Sequence, residues 1–324
     1  MATWVLKRVA LSVGLLALSS VLIFCLMRVI PGDPTITKVA ASGTSGGANA
    51  RTLRAVRHEL GLDRSTTHQY LAWVGGAVHG DFGKSYFSSF PVTTLISQRI
   101  GATLELSLLA LVIGLLITFA AATLGAIWRN RVFDSLMAGF SAFGMSTPAF
   151  VSGIILIVIF GVKLKLLPTQ GYVSIEHHPL QSLKMAILPA ITLSIAIAAP
   201  LLRLLNASLT EVGSAPFVRT AAGKGLLRRQ VVLRHQLPNA MLPTLTMIGV
   251  VVGSLLGGTV IVEYVFARPG LGTLMVDSIQ TRDYAVLQAL VLLAAAAFIL
   301  TSLAVDLLYG VLDPRLRVRT AEAV

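Results

Sequence analysis

The sequence predicts an all-α, polytopic membrane protein with about six transmembrane helices. Of its 324 residues, 55% are hydrophobic and only 12% are charged, and the mean hydropathy is +0.81. A soluble globular domain is about a quarter charged, so this composition excludes that class. The apolar residues also gather in long runs, each near the ~20 residues that a helix needs to cross a bilayer. Several membrane spans, rather than one buried core, are therefore expected.

Residues 1–30 are predicted to form an N-terminal segment and the first transmembrane helix. An apolar run over about residues 9–29 follows Lys7 and Arg8 and contains the single cysteine, Cys25. This run is longer than the apolar core of a signal peptide, and no small-residue cleavage site follows it. We therefore predict an uncleaved first helix. A lone cysteine also excludes a disulfide within the chain.

Residues 31–99 are mostly polar and are too long for a simple connector. They are therefore predicted to form a small extracytoplasmic domain between the first two transmembrane helices. Within this domain, the spacing of Leu53, Val56 and Leu60 predicts a short amphipathic helix over about residues 51–61.

Residues 100–312 are predicted to form a five-helix core, and residues 313–324 a cytoplasmic tail. The five spans are expected at about residues 103–127, 132–160, 185–205, 240–266 and 285–312. Gly144 and Pro148 interrupt the second of these spans, and Pro189 and Pro200 lie in the next. Such breaks are tolerated in membranes where neighbouring helices satisfy the freed carbonyls.

The distribution of Lys and Arg among the short loops predicts that both termini are cytoplasmic. With that orientation, basic residues at the N-terminus, at Arg129 and Arg131, at residues 203–234 and in the tail all lie inside. Basic residues of short loops remain on the cytoplasmic side. The formal net charge of +12 then reflects topology and contact with anionic membrane lipid, and no nucleic acid is expected as a partner.

Several strings resemble catalytic motifs, but their context argues against catalysis. The string around Ser45 matches G-x-S-x-G, yet it lies in a Gly/Ser/Ala-rich stretch and not between a strand and a helix. Residues 83–85 spell the end of a phosphate loop, but Val78 occupies the position of the required glycine. The histidines form no i, i+4 pair beside a glutamate. No catalytic residue and no metal site is predicted, and the chain is not expected to be an enzyme.

Carboxylates near the predicted span ends are the remaining candidates for chemistry within the membrane. Intramembrane carboxylates commonly serve proton-coupled transport, whereas those at span ends act as caps or interfacial anchors. The structural interpretation is favoured for all of them, namely Glu105, Asp134, Glu263 and Asp306.

The basic loop over residues 206–239 differs from an ordinary connector. Ser214 is predicted to cap a short helix with Pro216 in its first turn, and Gly223 and Gly225 are expected to end it. A second basic helix is predicted over residues 226–237, ending at Pro238. Such an element suits either docking into a groove of another protein or lying on the membrane surface.

Residues 219–238 resemble the EAA loop of ATP-binding-cassette (ABC) importer permeases. The positions that match the pattern are Thr220, Ala221, Gly225, Leu237 and Pro238. Arg219 stands where the general pattern has glutamate, and residues 217–221 are similar to the peptide-permease version of the loop. Further strings along nearly the whole chain resemble the same family, at residues 28–34, 80–85, 103–106, 282–284, 305–309 and 312–315.

The resemblance implies the B-type permease subunit of a dipeptide/oligopeptide importer in a bacterial or archaeal plasma membrane. It implies as partners a second homologous permease, two ABC ATPase subunits or one fused chain, and an extracytoplasmic peptide-binding protein. ATP and Mg²⁺ would be bound by the ATPases, and no cofactor by this chain. The residues implied to couple the chain to the ATPases are Arg219, Thr220, Ala221, Lys224, Gly225, Leu237 and Pro238.

The substrate is less sharply defined by the sequence. The candidate pathway residues in the span at 240–266 are Ser254, Gly257, Gly258 and Thr259. The hydroxyls can bond to a peptide backbone or within their own helix, and the glycines can line a pathway or permit close packing. Members of the family are associated with dipeptides, longer peptides, glutathione or nickel chelates. A proton-coupled secondary transporter and an intramembrane hydrolase are the alternatives of other classes, although no midplane carboxylate and no histidine within a span supports either of them.

Overall fold

The computed structural model describes residues 2–29, 34–41 and 49–312. Within these residues, five helices are long and apolar enough to cross a membrane, and the number is six if a bent pair of helices forms one span. The predicted all-α membrane protein is therefore confirmed. The predicted tail at residues 313–324 and the string around Ser45 lie outside the described residues.

The first half of the chain supplies an N-terminal span, three short helices and the long helix α5. Their bounds are α1 Ala2–Val29, α2 Pro34–Ala41, α3 Ala50–Glu59, α4 Thr66–Val78 and α5 Val92–Trp128. The bent pair follows as α6 Arg131–Ser146 and α7 Ala149–Leu156, which continues as a π-helix over Ile157–Lys163. The amphipathic helix predicted at residues 51–61 corresponds to α3.

The second half consists of long spans separated by short helices. Their bounds are α8 Pro179–Gly213, α9 Pro216–Gly223, α10 Arg228–Val231, α11 Leu237–Val265, α12 Leu271–Gln280 and α13 Tyr284–Leu312. A π-helical turn over Val232–Gln236 joins α10 to α11.

Helix α5 begins well before the predicted start at residue 103, within the region assigned to the external domain. Pro91 precedes the first residue of the helix, and the side chains of Val92 and Ile96 are buried against Leu271 and Val286. These contacts favour helix although the segment is too polar to span. With 37 residues, α5 is about 55 Å long, so it projects beyond the ~30 Å hydrocarbon layer.

The bent pair of α6 and α7 turns by 113° at the short break between them. Pro148 stands at the break, immediately before α7, as the sequence predicted. Gly144, by contrast, does not break the helix but packs α6 against α8, because a Cβ atom at this position would lie 2.6 Å from that of Ala199.

Helix α8 is the central element of the bundle. Leu188, Leu193 and Ile197 of α8 form the main core with Leu106 of α5 and Phe266 at the end of α11. The axes of α5 and α8 come close where Gly114 faces Ile197, since a Cβ atom on Gly114 would lie 2.8 Å from the Ile197 Cγ2 atom. Small residues at such crossings let membrane helices pack closely.

The short helices and turns of the first half lie at the end of the bundle where α1 ends and α13 begins. Tyr70 and Trp73 of α4 pack on Phe24 of α1. Asp283, just before α13, accepts hydrogen bonds from the Ser85 hydroxyl and from the backbone N–H of Tyr86. Burial and the Asp283 carboxylate raise the pKa of Tyr86 above its ordinary value. We call this end of the bundle the outer face.

The opposite end of the bundle carries an ion pair between the first and last spans. Arg8 Nη1 of α1 lies 2.7 Å from Asp306 Oδ2 of α13. Asp134 also lies towards this end, in the first turn of α6, where a negative charge stabilises the helix dipole. These contacts agree with the interpretation of both carboxylates as structural.

Candidate functional site

Helix α9 is the short, separate helix that the loop at residues 206–239 was predicted to contain. Pro216 is its first residue, where a missing N–H costs no intrahelical bond. Ala215, with extended backbone, precedes it. The prediction that Ser214 caps α9 is wrong, because its hydroxyl donates to the carbonyl of Glu211 at 2.7 Å instead. Ser214 thus completes the end of α8 and not the start of α9.

The end of α9 requires glycine at one position. Lys224 follows the last helical residue, Gly223, and Gly225 has a φ of +80°, a left-handed conformation that glycine adopts at little cost. A Cβ atom on Gly225 would meet no atom of the described residues within 4 Å. The requirement within the chain is therefore backbone conformation and not space.

One side of α9 packs against α10 and the end of α8 through small apolar side chains. Val218 and Ala221 are buried together with Val231 of α10, and Val212 at the end of α8 packs on them. Ala221, one of the predicted coupling residues, therefore seats the helix and does not project from it.

The opposite side of α9 is exposed. Arg219, Thr220 and Lys224 all lie on this surface. It also presents apolar side chains, since Phe217 is 47% exposed and Leu227 is 71% exposed. We call this surface, residues 217–227, the coupling surface. Its mixture of exposed aromatic, aliphatic and basic side chains is typical of a protein contact.

The connection from α9 to the bundle is continuous, in contrast to the prediction. The predicted second helix was to end at Pro238, but α10 passes through the π-helical turn Val232–Gln236 directly into α11. Leu237 donates its N–H to the carbonyl of Val232, five residues back. Pro238 lacks an N–H and can follow this wider turn without breaking the helix, because the bonding pattern already changes there.

A side-chain contact joins α10 to α5. The guanidinium of Arg228 donates twice to the carbonyl of Ala126, from Nε at 2.9 Å and from Nη2 at 2.6 Å. Ala126 lies in the last turn of α5, where the carbonyls lack helical partners and attract a cation. The contact therefore joins α10 directly to the end of α5.

A cavity of about 910 Å³ lies between this segment and the ends of α5, α6 and α8. Its charged lining residues are Arg129, Asp134, Arg203 and Arg228. The cavity separates part of this segment from the three helix ends, and the segment is held to the bundle by Val212 of α8, by the Arg228 contact and by its continuation into α11.

The candidate pathway residues lie together on α11, away from the coupling surface. Ser254, Gly257 and Gly258 are exposed, and within the part of the chain that the structure describes no atom would lie within 4 Å of a Cβ on either glycine. Thr259 is buried. The Ser254 hydroxyl bonds to the carbonyl of Val251 in its own helix at 2.8 Å.

Packing inside the chain is done by other glycines of α11. Gly249 and Gly253 face Val305 and Phe298 of α13, at distances that leave no room for a Cβ atom. The open face at Ser254, Gly257 and Gly258 is therefore free for contacts outside this chain.

A buried polar network lies at the outer end of α11. The sequence indicated Glu263 as a single carboxylate but not its connection to Thr103 and the start of α12. Thr103 donates to Glu263 at 2.6 Å and accepts from the N–H of Leu271 at 2.8 Å. Glu263 also accepts from the N–H of Gly272 at 2.7 Å. Its carboxylate lies where Cβ atoms on Gly270 or Gly272 would collide with it. The signal in the sequence is the pair of glycines in residues 269–272, shortly after a carboxylate.

Arg268, in the turn after α11, extends this network to α5 and α8. Its side chain is 1% exposed and its Nη2 atom lies 3.5 Å from Glu105 Oε2. Ser182 of α8 donates to the other carboxylate oxygen of Glu105 at 2.5 Å. Burial lowers the pKa of Arg268, and the charge of Glu105 and the Tyr172 phenol oppose this shift. Glu105 and Glu263 thus bind neighbouring helices together.

Groups of His, Cys, Asp and Glu that could hold a metal ion do not occur among the described residues. The structure brings together Arg219, Thr220, Ala221, Lys224 and Gly225 on α9 and its end, and sets Leu237 and Pro238 at the start of α11.

Two family models match the chain. Residues 1–107 match the binding-protein-dependent transport system membrane component, N-terminal, and residues 110–318 match the binding-protein-dependent transport system inner membrane component. The glutathione transport system permease protein GsiC of Escherichia coli strain K12 is 41% identical over 317 residues, which cover 98% of this chain and 99% of that protein. Proteins of the same name from Shigella dysenteriae serotype 1 and Escherichia coli strain UTI89 have the same identity and coverage.

These matches extend over both the α9 region and the outer helices, and they confirm the resemblance seen in the sequence. Members of the family work in complexes with other permease, ATPase and binding-protein subunits. The chain therefore belongs to the family of binding-protein-dependent transport system inner membrane components, and is the permease subunit of an ABC importer in the inner membrane.

Proposed function

We propose that this chain forms half of a translocation pathway for small peptides of about the size of glutathione, and that the coupling surface connects it to partner ATPases. The substrate class is supported by the relatives named as glutathione permeases, which match nearly the full chain. It deepens the wider expectation of di- and oligopeptides, because glutathione is itself a tripeptide.

The observation that carries the coupling role is the seating of α9. Its buried side, at Val218 and Ala221, fixes the helix to the segment, while Phe217, Arg219 and Lys224 remain exposed. A helix that is anchored on one side and exposes an aromatic and basic surface on the other suits docking into a groove of a partner protein. In this proposal the groove belongs to an ABC ATPase.

The energy enters through the partners. Two ATPase subunits, or one fused chain, bind ATP and Mg²⁺, and their closure moves α9. Movement of α9 and α10 is passed to α5 through the bonds from Arg228 to Ala126 and to α11 through the π-helical turn. These connections reach two of the spans that pack on α8.

The second half of the pathway is supplied by a homologous permease. The exposed face of α11 at Ser254, Gly257 and Gly258 is available for this partner or for substrate. Thr259 lies on the same helix. An extracytoplasmic binding protein delivers the peptide to the outer face, and the coupling surface and both termini lie in the cytoplasm, as the basic short loops indicate.

The test is uptake by the complete complex reconstituted into sealed vesicles, with the binding protein outside and ATP and Mg²⁺ inside. Labelled glutathione, a dipeptide and a nickel chelate are compared. We expect glutathione uptake that requires internal ATP and does not respond to an imposed proton gradient. Uptake driven by the proton gradient without ATP would refute the coupling role. ATP-driven uptake of the dipeptide or the chelate alone would refute the substrate and leave the coupling role intact.

A further inference from the structure

A second cavity, of about 790 Å³, lies at the outer face. It is bounded by the last turn of α1, by α3 and α4 with the turn between them, and by the first turns of α13. Among the described residues that line it, none belongs to α5, α8 or α11, the spans that form the main core. The cavity therefore lies beside the core, and neither the coupling surface nor the candidate pathway on α11 uses it.

Three side chains that line this cavity carry a buried polar atom without a hydrogen-bond partner among the described residues. These atoms are the Tyr284 hydroxyl and Gln288 Nε2 on α13, and Trp73 Nε1 on α4. Tyr284 and Gln288 stand one turn apart and are only 8% and 9% exposed. Buried polar atoms are nearly always paired in folded proteins. Three unpaired atoms around one cavity therefore indicate a group that binds there.

The chemistry of the three atoms selects an acceptor. The Trp73 N–H and the Gln288 NH₂ group can only donate, and the Tyr284 hydroxyl can donate. A carboxylate has two oxygens that together accept several hydrogen bonds, and it brings no donor of its own. The cavity therefore favours a carboxylate over an amide, a hydroxyl or an ammonium group.

Two arginines of the lining favour the charged form of such an acceptor. Arg28 donates to the side chain of Gln69, and its guanidinium lies 3.7 Å above the centre of the Phe24 ring. Neither Arg28 nor Arg64 forms an ion pair with a carboxylate of the described residues. Both guanidinium groups can therefore attract a carboxylate from outside the chain.

The other charged groups near the cavity are already engaged. Arg57 also lines it but has a partner of its own, so its charge does not enter the argument. Glu59 is the one carboxylate among the described lining residues, and Lys38 binds it at 2.8 Å. Asp63 lies 3.8 Å from His58 and does not line the cavity. The attraction for an anion therefore rests on Arg28 and Arg64.

The cavity can be reached from the surface of the external helices. Arg64, Thr66 and His68, at the turn between α3 and α4 and in the first turn of α4, line it and are exposed. A side chain of another protein can therefore enter without any opening of the bundle. Trp, Tyr and Arg, all present in the lining, are also the residue types that contribute most to binding at protein interfaces.

The family indicates which protein approaches this face. Its transport systems depend on a binding protein, and the match at residues 1–107 includes α1, α3 and α4, which supply most of the lining. A cavity of this volume can hold a ligand of drug size, and so it has room for the tip of a protein loop.

We propose that the outer cavity receives an acidic loop of the extracytoplasmic binding protein. A carboxylate of the loop accepts hydrogen bonds from Tyr284, Gln288 and Trp73, and Arg28 and Arg64 supply the opposite charge. This inference rests on the proposed function, in which the binding protein delivers the peptide to the outer face, and it adds the place and the chemistry of the contact. The inserted carboxylate joins α4 to the start of α13.

The first experiment measures the affinity of the purified binding protein for the complete transporter complex in nanodiscs, by biolayer interferometry. The double substitution Arg28→Gln/Arg64→Gln should weaken this affinity at least about tenfold, since hydrogen bonds to charged groups are the strong ones. The matched control is Arg51→Gln/Arg54→Gln, which removes the same charge from exposed positions of α3 that do not line the cavity. The control should bind within about twofold of wild type, as surface charges away from a contact contribute little.

A second variant keeps the proposal testable if the arginine variant fails to assemble. Tyr284→Phe removes only the unpaired hydroxyl and changes no charge. If a carboxylate enters the cavity, the binding protein should dissociate from this variant about tenfold faster and associate at the wild-type rate, because a buried hydrogen bond to a charged group acts on dissociation.

Three results would overturn the proposal. The first is a wild-type dissociation rate from Tyr284→Phe. The second is an equal loss of affinity in the α3 control, which would indicate general attraction by a basic surface. The third is stabilisation of the wild-type complex against heat, but not of Tyr284→Phe, by inorganic phosphate or phosphatidylglycerol without the binding protein, which would assign the cavity to a free anion or a lipid.

Failure of this inference is distinguishable from failure of the proposed function. ATP-driven uptake by the wild-type complex, together with unchanged binding-protein kinetics in the cavity variants, would refute only the contact at the outer cavity. Absence of ATP-driven uptake by the wild-type complex would refute the proposed function itself.

Discussion

Thr103 and Glu263, which are 160 positions apart in the chain, are joined by a buried hydrogen bond of 2.6 Å. Thr103 lies on α5 and Glu263 near the end of α11, and the N-terminus of α12 donates to both through Leu271 and Gly272. The bond therefore fixes three helices at one point. The carboxylate accepts a hydrogen bond at the start of α12, where the N–H groups have no acceptor within the helix.

We expect Glu263→Ala to be among the most destabilising single changes in the chain. It would leave the Thr103 hydroxyl and the Gly272 N–H buried without a partner, each at a cost of about 1–3 kcal/mol. The measurement is thermal unfolding of the purified protein in detergent, followed by intrinsic fluorescence.

The matched control for Glu263 is Asp306→Asn, which breaks the partly exposed pair with Arg8. A surface pair contributes about 0–1 kcal/mol, so the control should unfold near the wild-type temperature. Equal loss of stability in both variants would show that the Glu263 network stabilises the protein no more than the Arg8–Asp306 pair does.

Gly225→Val is expected to abolish ATP-driven uptake. The φ of +80° at this position is unfavourable for a β-branched side chain, so the end of α9 and the coupling surface would be displaced. The matched control is Gly223→Ala, at the last position of α9, where a Cβ atom meets no neighbour within 4 Å and φ is not positive. We expect Gly223→Ala to transport normally. Normal uptake by Gly225→Val in membranes that contain the assembled complex would contradict the role of the coupling surface.

Arg228→Gln should uncouple ATP hydrolysis from uptake. The substitution removes the paired bonds to the Ala126 carbonyl while the coupling surface itself remains. We expect the ratio of peptide transported to ATP hydrolysed to fall about tenfold, as a loss of one charged hydrogen bond of about 1.5–3 kcal/mol would allow.

The control for Arg228 is its neighbour Arg229→Gln, which changes the same charge at an exposed position. It should keep the wild-type ratio. A parallel fall in both variants would indicate a general effect of basic charge and not the contact with α5.

Gly114→Leu should prevent assembly of the bundle. The Ile197 side chain of α8 would lie within 3 Å of even a Cβ atom, and overpacking of a close helix crossing costs about 1–3 kcal/mol or more. The measurement is the amount of folded protein recovered from membranes. Gly139→Leu on α6 is the control, because no atom of residues 2–29, 34–41 or 49–312 lies within 4 Å of its Cβ position. Equal recovery of both variants would contradict the close approach of α5 and α8.

The spans were predictable because each apolar run carries its own signal, whereas their ends were not. Val92 and Ile96 extend α5 because they pack on Leu271 and Val286, residues far away in sequence. A local pattern contains no information about such partners. The start of α5 therefore depends on tertiary contact.

The region from Ser214 to Pro238 likewise contains features that the sequence predicted and features that it did not. Gly223 and Gly225 were predicted to end α9 from glycine's conformational freedom; α9 ends at Gly223, and the positive φ of Gly225 agrees with that prediction. Ser214 and Pro238 were misjudged because each has two local solutions. A serine can cap the next helix or bond back to the previous one, and a proline can end a helix or follow a π-helical turn. The surrounding contacts decide between them.

The 113° bend between α6 and α7 has a consequence for the parity of the crossings. Were the bent pair to return to the side from which it came, the chain would cross the bilayer an odd number of times, and the start of α1 and the end of α13 would lie on opposite sides. The bond between Arg8 and Asp306 excludes this, since it requires an even number. The bent pair is thus a sixth crossing in two pieces, and labels placed near either end of the chain should be reached by a membrane-impermeant reagent from the same side only.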